Sequence, residues 1–296
     1  MTVPHLGEIL SIGAALIWAG SVVLFRKSGR SYPPLALNFL KNIISMVLLL
    51  ATLLIARQSL LRDAPLLDYA LLALSGVLGI ALGDTLFFKS LNIVGAGLSQ
   101  IVSLSYSPLV ILFTFFFLGE RLTVGDLAGA LLILLGILLT TARGKTSSLS
   151  AHDLRKGVGL ATLSVAMMAL GVTVAKPVLD RSPVLWSTTI RLLGGIVALM
   201  LLTAVSPSRR YLWSTLKPSR SWKVAIPASV LGAYLAMIVW IGGMKFTQAS
   251  TASILNQTSA IFVLPLAAIF LHERITLRKA LAVGMALAGV VLVTLT

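Results

Sequence analysis

The sequence predicts an all-α membrane protein with ten transmembrane helices in two inverted five-helix repeats. Three observations lead to this prediction: an apolar composition, ten apolar stretches of membrane-spanning length, and an internal repeat. Of the 296 residues, 57% are hydrophobic and 11% are charged, and the mean hydropathy is +0.99. Soluble domains carry about 25% charged residues. The composition therefore excludes a water-soluble enzyme and a disordered chain.

The charge balance indicates which partners to expect. The chain has 24 Lys and Arg against 9 Asp and Glu, a formal charge of +15. Most of this charge lies in short gaps between apolar runs, where basic residues orient loops and meet anionic lipid headgroups. We therefore expect membrane lipids and no nucleic acid as partners. With no cysteine and three widely separated histidines, no metal site is predicted.

Ten apolar stretches are long enough to cross the hydrocarbon core, which takes about 20 residues in a helix. The predicted spans are residues 7–25, 34–56, 66–88, 95–118, 124–141, 157–176, 184–205, 223–244, 248–271 and 276–295. The first stretch has no basic leader, so we expect it to be retained rather than cleaved. The longest hydrophilic gaps, 142–156 and 206–222, are too short for a soluble domain.

An internal repeat relates the two halves of the chain. Residues 79–123 align without a gap with residues 232–276 at an offset of 153, and upstream the offset is 150. The predicted repeats are residues 1–141 and 157–296, joined by the hydrophilic linker 142–156. Because each half holds an odd number of spans, the second half is inverted. Inverted repeats are typical of alternating-access carriers, which bind substrate near the midplane between the halves.

The first two helices of each half carry basic residues at matching positions. Lys41 and Arg191 pair at the offset of 150, and each lies about two turns inside a helix that begins at a proline, roughly 10 Å along the axis. They either face a cavity and bind a carboxylate or phosphate, or extend their long side chains to the headgroups. Trp18 lies well inside the first span and is a further candidate for the cavity.

The third helix contains Asp84 well inside an apolar span. An ionisable side chain there costs about 2.5–3.5 kcal/mol on insertion scales, so it normally faces a cavity or a partner. A glycine series that begins at Gly76 precedes it and favours close helix packing. Asp84 is a proton carrier for coupling, a binder of a substrate ammonium, or a structural partner of Lys41 or Arg191.

The fourth helices carry polar stripes. Serines spaced four residues apart share one helix face in the first half. With their neighbours they form the set Ser99, Gln100, Ser103, Tyr106 and Ser107. The second half has Asn256 and Gln257 in the matching stretch, and amides in hydrocarbon need partners. The stripes predict cavity walls, although serines at this spacing also permit tight helix contact.

The fifth helices follow a repeated motif. LGERLT at residues 118–123 and LHERIT at residues 271–276 resemble the EamA-type drug/metabolite transporter family, with His272 in place of the usual glycine. The resemblance covers almost the whole chain. It implies a ten-helix secondary transporter without cofactors, most often an exporter of amino acids, related metabolites or drugs. The repeated Glu-Arg pairs themselves predict a structural hinge or a helix cap with local charge neutralisation, rather than catalysis.

These features predict a secondary active transporter of small organic metabolites, an exporter of amino acids or related zwitterions. The expected substrate-binding residues are Trp18, Lys41, Asp84, Gln100, Ser103, Tyr106, Arg191, Asn256 and Gln257, with Asp84 as coupling candidate. An anion exchanger for phosphorylated metabolites is the alternative, and a non-transporting membrane scaffold is the second. A proton or counter-substrate is the expected coupling partner. A monomer is sufficient, and a dimer stays open.

Charge also predicts the orientation. The gaps after odd-numbered spans hold sixteen Lys and Arg, and those after even-numbered spans hold six. By the positive-inside rule the odd-numbered gaps are cytoplasmic, and both termini lie outside. We therefore expect a multi-pass protein of a bacterial-type inner membrane or plasma membrane.

Overall fold

The part of the chain that the structure describes is all-helical, as the sequence predicts. This computed structural model describes residues 5–119, 123–141 and 149–294, apart from a few side chains within helices. In these ranges six helices are long and apolar enough to cross a membrane. They are Leu6–Ser28, Pro34–Ile55, Leu66–Ser103, Ala151–Arg181, Val184–Ala204 and Trp222–Phe246. Two shorter apolar helices, Tyr106–Leu118 and Ser259–Leu271, accompany them.

The helices follow the predicted spans closely. The N-terminal part contains α1 (Leu6–Ser28), α2 (Pro34–Ile55), α3 (Leu66–Gly76), a π-helical segment (Val77–Gly83), α4 (Asp84–Ser103), α5 (Tyr106–Leu118) and α6 (Val124–Thr141). The C-terminal part contains α7 (Ala151–Arg181), α8 (Val184–Ala204), α9 (Arg209–Thr215), α10 (Trp222–Ser229), a π-helical segment (Val230–Leu235), α11 (Ala236–Phe246), α12 (Ala249–Asn256), α13 (Ser259–Leu271) and α14 (Leu277–Thr294). Prolines stand at the N-caps of α2 and α8, where their fixed φ favours a helix start.

Three predicted boundaries differ from the structure. The third span runs past residue 88 to Gly95, whose φ of 84° and ψ of 174° are not helical. A new helical segment begins there, as the fourth predicted span does, and continues to Ser103. Helix α7 begins at Ala151 rather than at residue 157, since the Ser150 side chain accepts a hydrogen bond from the Asp153 N–H at 3.0 Å and caps the helix. The short helix α9 occupies part of the gap predicted as loop. Residues 142–148 of the linker lie outside the described residues.

The polar stripes coincide with helix breaks. The predicted spans 95–118 and 248–271 are each interrupted, one between α4 and α5 and the other between α12 and α13. At these breaks the Ser105 and Thr258 hydroxyls donate to carbonyl oxygens three residues earlier, at 2.8 and 2.7 Å. Such local bonds compete with helical backbone pairing. The two breaks are 153 residues apart, the offset of the repeat.

A carboxylate from the second half caps the redirected part of α4. Glu273 Oε1 accepts from the Ala96 N–H at 2.7 Å, and Oε2 accepts from the Gly97 N–H at 2.9 Å. A Cβ at Gly95 would lie 2.8 Å from Glu273 Oε1, and the positive φ there also favours glycine. This is the cap that the Glu-Arg pair predicted. The matching residues 120–122 lie outside the described part of the chain.

Close contacts between helices bring the charged residues of the interior near one another. A Cβ at Gly76 would overlap the Arg191 carbonyl oxygen, so α3 and α8 approach at backbone distance. A Cβ at Gly83 would lie 2.8 Å from Met168 Cγ, which brings the start of α4 equally close to α7. The glycine series therefore packs as small residues do between membrane helices. As a result, Asp84 and Arg191 border the same interior space.

Candidate functional site

A cavity of about 140 Å³ lies in the interior, bordered by helices from both parts of the chain. Eight of the nine side chains predicted from the sequence line it. They are Trp18, Asp84, Gln100, Ser103, Tyr106, Arg191, Asn256 and Gln257. Lys41, the ninth, lies behind the wall and contacts Asp84. The structure thus brings the predicted residues together, and their role in binding a substrate stays a prediction.

The lining residues occur largely in pairs related by the repeat. Pairs at the offset of 153 are Asp84 with Met237, Phe87 with Trp240, Ser103 with Asn256, and Tyr106 with Ser259; Trp18 pairs with Met168 at 150. The sequence analysis did not select Phe87, Met168, Met237 or Trp240. The signal was present, because applying the offsets to Trp18 and Asp84 leads directly to the two methionines.

Lys41 and Asp84 form a buried ion pair. The distance between Lys41 Nζ and Asp84 Oδ2 is 2.6 Å, and the two side chains are 2% and 9% exposed. The Lys41 ammonium also donates to Asn42 Oδ1 at 3.4 Å and lies 5.8 Å from the centre of the Phe88 ring. Of the alternatives that the sequence left open, the structure shows Asp84 paired with Lys41.

A polar network fixes the helix that carries Lys41. Asn38 Nδ2 donates to the Ile80 carbonyl oxygen at 2.8 Å and to Thr85 Oγ1 at 2.9 Å. Asn42 Nδ2 donates to Asn38 Oδ1 at 2.9 Å. The Ile80 carbonyl belongs to the π-helical segment, where irregular backbone makes oxygen atoms available to side chains. These bonds hold α2 against the start of α4 and so fix the ion pair in place.

Arg191 is buried, and no carboxylate lies within ion-pair distance of it among the described residues. Its side chain reaches the cavity wall and is 2% exposed, with its Cζ atom 5.4 Å from the centre of the Trp240 ring. Within the described residues, Nε and Nη1 of Arg191 have no hydrogen-bond partner. Leaving a buried charged donor unpaired costs free energy. The guanidinium therefore presents two donor groups that are ready for an acceptor.

Two hydrogen-bond acceptors at the same cavity also have no partner among the described residues. Gln100 Nε2 donates to Ser259 Oγ at 2.8 Å, whereas Gln100 Oε1 is buried without a partner among the described residues. The Tyr106 hydroxyl is likewise buried and unpaired there. Ser103, another wall residue, donates its hydroxyl hydrogen to the Ser99 carbonyl oxygen within its own helix at 2.9 Å. Its hydroxyl can therefore only accept a further hydrogen bond.

The arrangement suits a small ligand with an acidic group and a hydrogen-bond donor. Asp84 and Arg191 are the charged side chains among the described wall residues, and Lys41 balances the charge of Asp84. One net positive charge therefore remains beside the cavity. The Trp18, Phe87 and Trp240 rings provide apolar wall for the body of a ligand. Such a cavity, lined mostly by apolar groups with a few convergent polar ones, is typical of small-molecule sites.

Apolar helices that surround an interior cavity with a few charged and polar wall residues define a multi-pass membrane protein. Comparison with known proteins gives the family. The profile of the EamA-like transporter family matches residues 5–142 and 155–295. The chain belongs to this family, and it is a non-enzymatic membrane transporter with a small-molecule substrate.

Two relatives cover nearly the same length. An uncharacterized transporter of Archaeoglobus fulgidus is 24% identical over 295 residues, which is 97% of each chain. A solved crystal structure superposes with a TM-score of 0.73 at 21% identity, covering 98% of this chain and 96% of the other. At that identity the likeness concerns the fold alone.

Proposed function

We propose that this protein exports amino acids or related zwitterions through the interior cavity. The observation that carries the proposal is the set of unpaired polar atoms there: two donors on Arg191 and acceptors on Gln100 and Tyr106. Buried polar groups are normally hydrogen-bonded. A ligand that has a carboxylate and an ammonium group would satisfy both kinds at once.

The proposed pose follows from these atoms. The substrate carboxylate pairs with the Arg191 guanidinium and accepts from Nη1, one of its two donor atoms without a partner among the described residues. A hydrogen bond between two charged groups is about twice as strong as a neutral one. The ammonium donates to Gln100 Oε1 and to the Tyr106 hydroxyl. The Trp18 and Trp240 rings contact the substrate side chain. Ser103, Asn256 and Gln257 provide further hydrogen bonds from the two polar stripes.

We propose that the fold is a ten-helix inverted repeat, residues 1–141 and 157–296, and that the halves alternate access to the cavity. Elements that match at an offset of 153 support this proposal. The π-helical segments begin at Val77 and Val230, and α5 matches α13 residue for residue. The cavity is bordered by helices of both halves, as expected where inverted repeats meet. A monomer contains both halves and is sufficient.

Asp84 is the proposed coupling residue. Its carboxylate lines the cavity and pairs with Lys41. Protonation of Asp84 would break this pair and change the charge beside the substrate, which gives a proton a route to affect binding. We expect a pH gradient to drive uptake into proteoliposomes by the wild-type protein but not by D84N. Gradient-driven uptake by D84N would assign the coupling to another species.

Exchange of phosphorylated anions is the second candidate, and the net positive charge beside the cavity favours it. That candidate needs both basic residues on the phosphate, but Lys41 is occupied by Asp84. The carboxylate ligand is therefore the better match. For either substrate, the charge balance of the gaps supports an inner or plasma membrane location with both termini outside.

The first experiment measures ligand-dependent thermal stability. Purified protein in detergent is heated with each of the twenty amino acids, with organic phosphates and with lipophilic cations. A ligand that binds the folded state alone raises the apparent Tm by mass action. We expect a shift with amino acids that R191Q abolishes, followed by counterflow of the same amino acid in proteoliposomes. A shift with phosphates alone would support the second candidate, and a shift with cations alone would contradict both.

A further inference from the structure

We infer that Lys41 determines the charge specificity of the cavity although it does not line it: by holding the Asp84 carboxylate, Lys41 keeps Arg191 free to bind an acidic group of the substrate. The inference rests on the proposed function and deepens it. Lys41 is then a positioning residue, since it acts on the ligand through Asp84 and Arg191.

The first step concerns competition for Asp84. Asp84 and Arg191 border the same cavity, so the carboxylate would be a natural partner for the unpaired guanidinium. A bidentate arginine–carboxylate pair is among the strongest hydrogen-bonded pairs in proteins. In this structure Asp84 Oδ2 instead lies 2.6 Å from Lys41 Nζ. Lys41 thereby keeps the protein's own carboxylate from occupying the place of a substrate carboxylate.

The second step concerns how firmly the lysine is held. Lys41 Nζ contacts the Asn42 amide oxygen at 3.4 Å, and the Asn42 amide nitrogen is bonded to the backbone and the side chain of Asn38. Asn38 in turn bonds to the π-helical segment and α4. The lysine is therefore fixed beside Asp84 by its own helix. A flexible lysine would allow Asp84 to turn toward Arg191.

The third step concerns the repeat. Lys41 and Arg191 are equivalent at the offset of 150, but the position equivalent to Asp84 is Met237. The two basic residues are therefore accompanied by a single carboxylate, which pairs with Lys41. The positive charge of Arg191 remains for the ligand. The predicted ligand class is a small monocarboxylate, with or without an ammonium group. An amine that lacks the carboxylate is disfavoured, because the charge of Arg191 would repel it.

The test uses full-length protein in detergent with three probes. They are the amino acid that binds most tightly in the thermal panel, its deaminated carboxylate and its decarboxylated amine. For K41M we expect affinity for both carboxylates to fall about 10- to 100-fold, the effect of losing a charge-assisted contact. Affinity for the amine should not fall. The ratio of carboxylate to amine affinity is the readout that a merely structural role would not move.

The double variant K41M/D84N distinguishes positioning from damage. It removes the ion pair as a unit, and neutral replacement of a buried pair is tolerated better than loss of one partner. Because no carboxylate then competes for Arg191, we expect affinity to return to within about threefold of the wild type, a non-additive result. Equal loss in the single and double variants would overturn the inference.

A control variant breaks a second lysine–aspartate pair, in which the lysine is largely buried and the aspartate is exposed. Lys176 Nζ lies 2.6 Å from Asp180 Oδ1 and also donates to the Met244 carbonyl oxygen, and Lys176 does not line the cavity. K176M should leave the affinity for all three probes unchanged.

If K41M does not fold, the D84N variant provides the test instead. We expect D84N to bind the carboxylate probes more tightly than the wild type, and weaker binding would overturn the inference. Wild-type protein that binds no amino acid would instead refute the proposed function, whereas binding by K41M equal to that of the wild type would refute the inference alone.

Discussion

The basic residues on the second helices of the two halves occupy equivalent positions but have different surroundings. Lys41 is in a buried ion pair with Asp84, whereas Arg191 has two buried donors without a partner among the described residues. Both side chains are 2% exposed, so burial does not distinguish them. The difference arises at one further position, where the first half has a carboxylate and the second has Met237.

This difference shows how a duplicated scaffold acquires an asymmetric site. The repeat preserves the features that shape the cavity, including the glycines Gly79 and Gly232 and the broken fourth helices. Its charges are not preserved. One half pairs its own buried charge, while the other leaves a buried charge without a partner among the described residues. Functional sites commonly retain such locally unfavourable arrangements.

Removal of the unpaired charge should have the largest effect. For R191M we expect affinity for the best amino acid to fall by about 100-fold or more, because the charge-assisted contact with the carboxylate is lost. We also expect the unliganded protein to gain about 1–3 kcal/mol of stability, since unsatisfied buried donors are removed. Thermal unfolding with and without the ligand measures both quantities. R191K keeps the charge but not the planar donor group, so its affinity and stability should lie between those of the wild type and those of R191M. An R191M protein that binds the amino acid with wild-type affinity would contradict the pose.

A carboxylate added to the second half should make the halves alike. In M237D the introduced carboxylate borders the cavity beside Arg191 and would pair with it as Asp84 pairs with Lys41. We expect a loss of affinity of about tenfold and no loss of stability. M237L serves as the control for side-chain shape. Wild-type affinity in M237D would show that Arg191 does not need to be free.

A smaller effect is expected at the acceptor side. Q100L removes Gln100 Oε1, for which we propose a bond to the substrate ammonium. Affinity for the amino acid should fall about three- to tenfold, the range for one hydrogen bond. Affinity for the deaminated carboxylate should stay the same. S99A is the control, because Ser99 is buried next to Gln100 but bonds to Ser90 at 3.3 Å rather than lining the cavity. Equal losses for both ligands would place the ammonium elsewhere.

The smallest effect concerns the contact by which the second half caps the first. E273Q removes the charge that accepts from the Ala96 and Gly97 N–H groups and leaves one of them facing an amide NH₂. We expect a loss of about 0.5–1.5 kcal/mol of stability, seen as a lower Tm, with ligand affinity unchanged. R274Q, at the exposed neighbouring side chain, should have no effect. A change in affinity in E273Q would link this cap to the cavity.

Much of the fold could be predicted from the sequence because hydrocarbon imposes a simple rule. A spanning segment must satisfy its backbone internally and be apolar over its length. Helices such as α2 and α8 therefore begin at their prolines as predicted. The cap that Glu273 places on the helical segment after Gly95 could not be assigned from the sequence, because the contact joins residues that are 177 apart in the chain. The π-helical segments were not predicted either.

The candidate residues were also accessible from the sequence, since an ionisable or amide side chain in an apolar span needs a cavity or a partner. That rule selects Asp84, Lys41, Arg191 and Asn256 without coordinates. It does not say which charge pairs with which, and the sequence left both basic residues open as partners of Asp84. Helix packing decided the pairing, because an ion pair depends on distances of a few ångströms between helices. The sequence therefore determined which charges lie inside apolar spans. The tertiary structure alone decided that Asp84 pairs with Lys41 and that Arg191 has no ion-pair partner among the described residues.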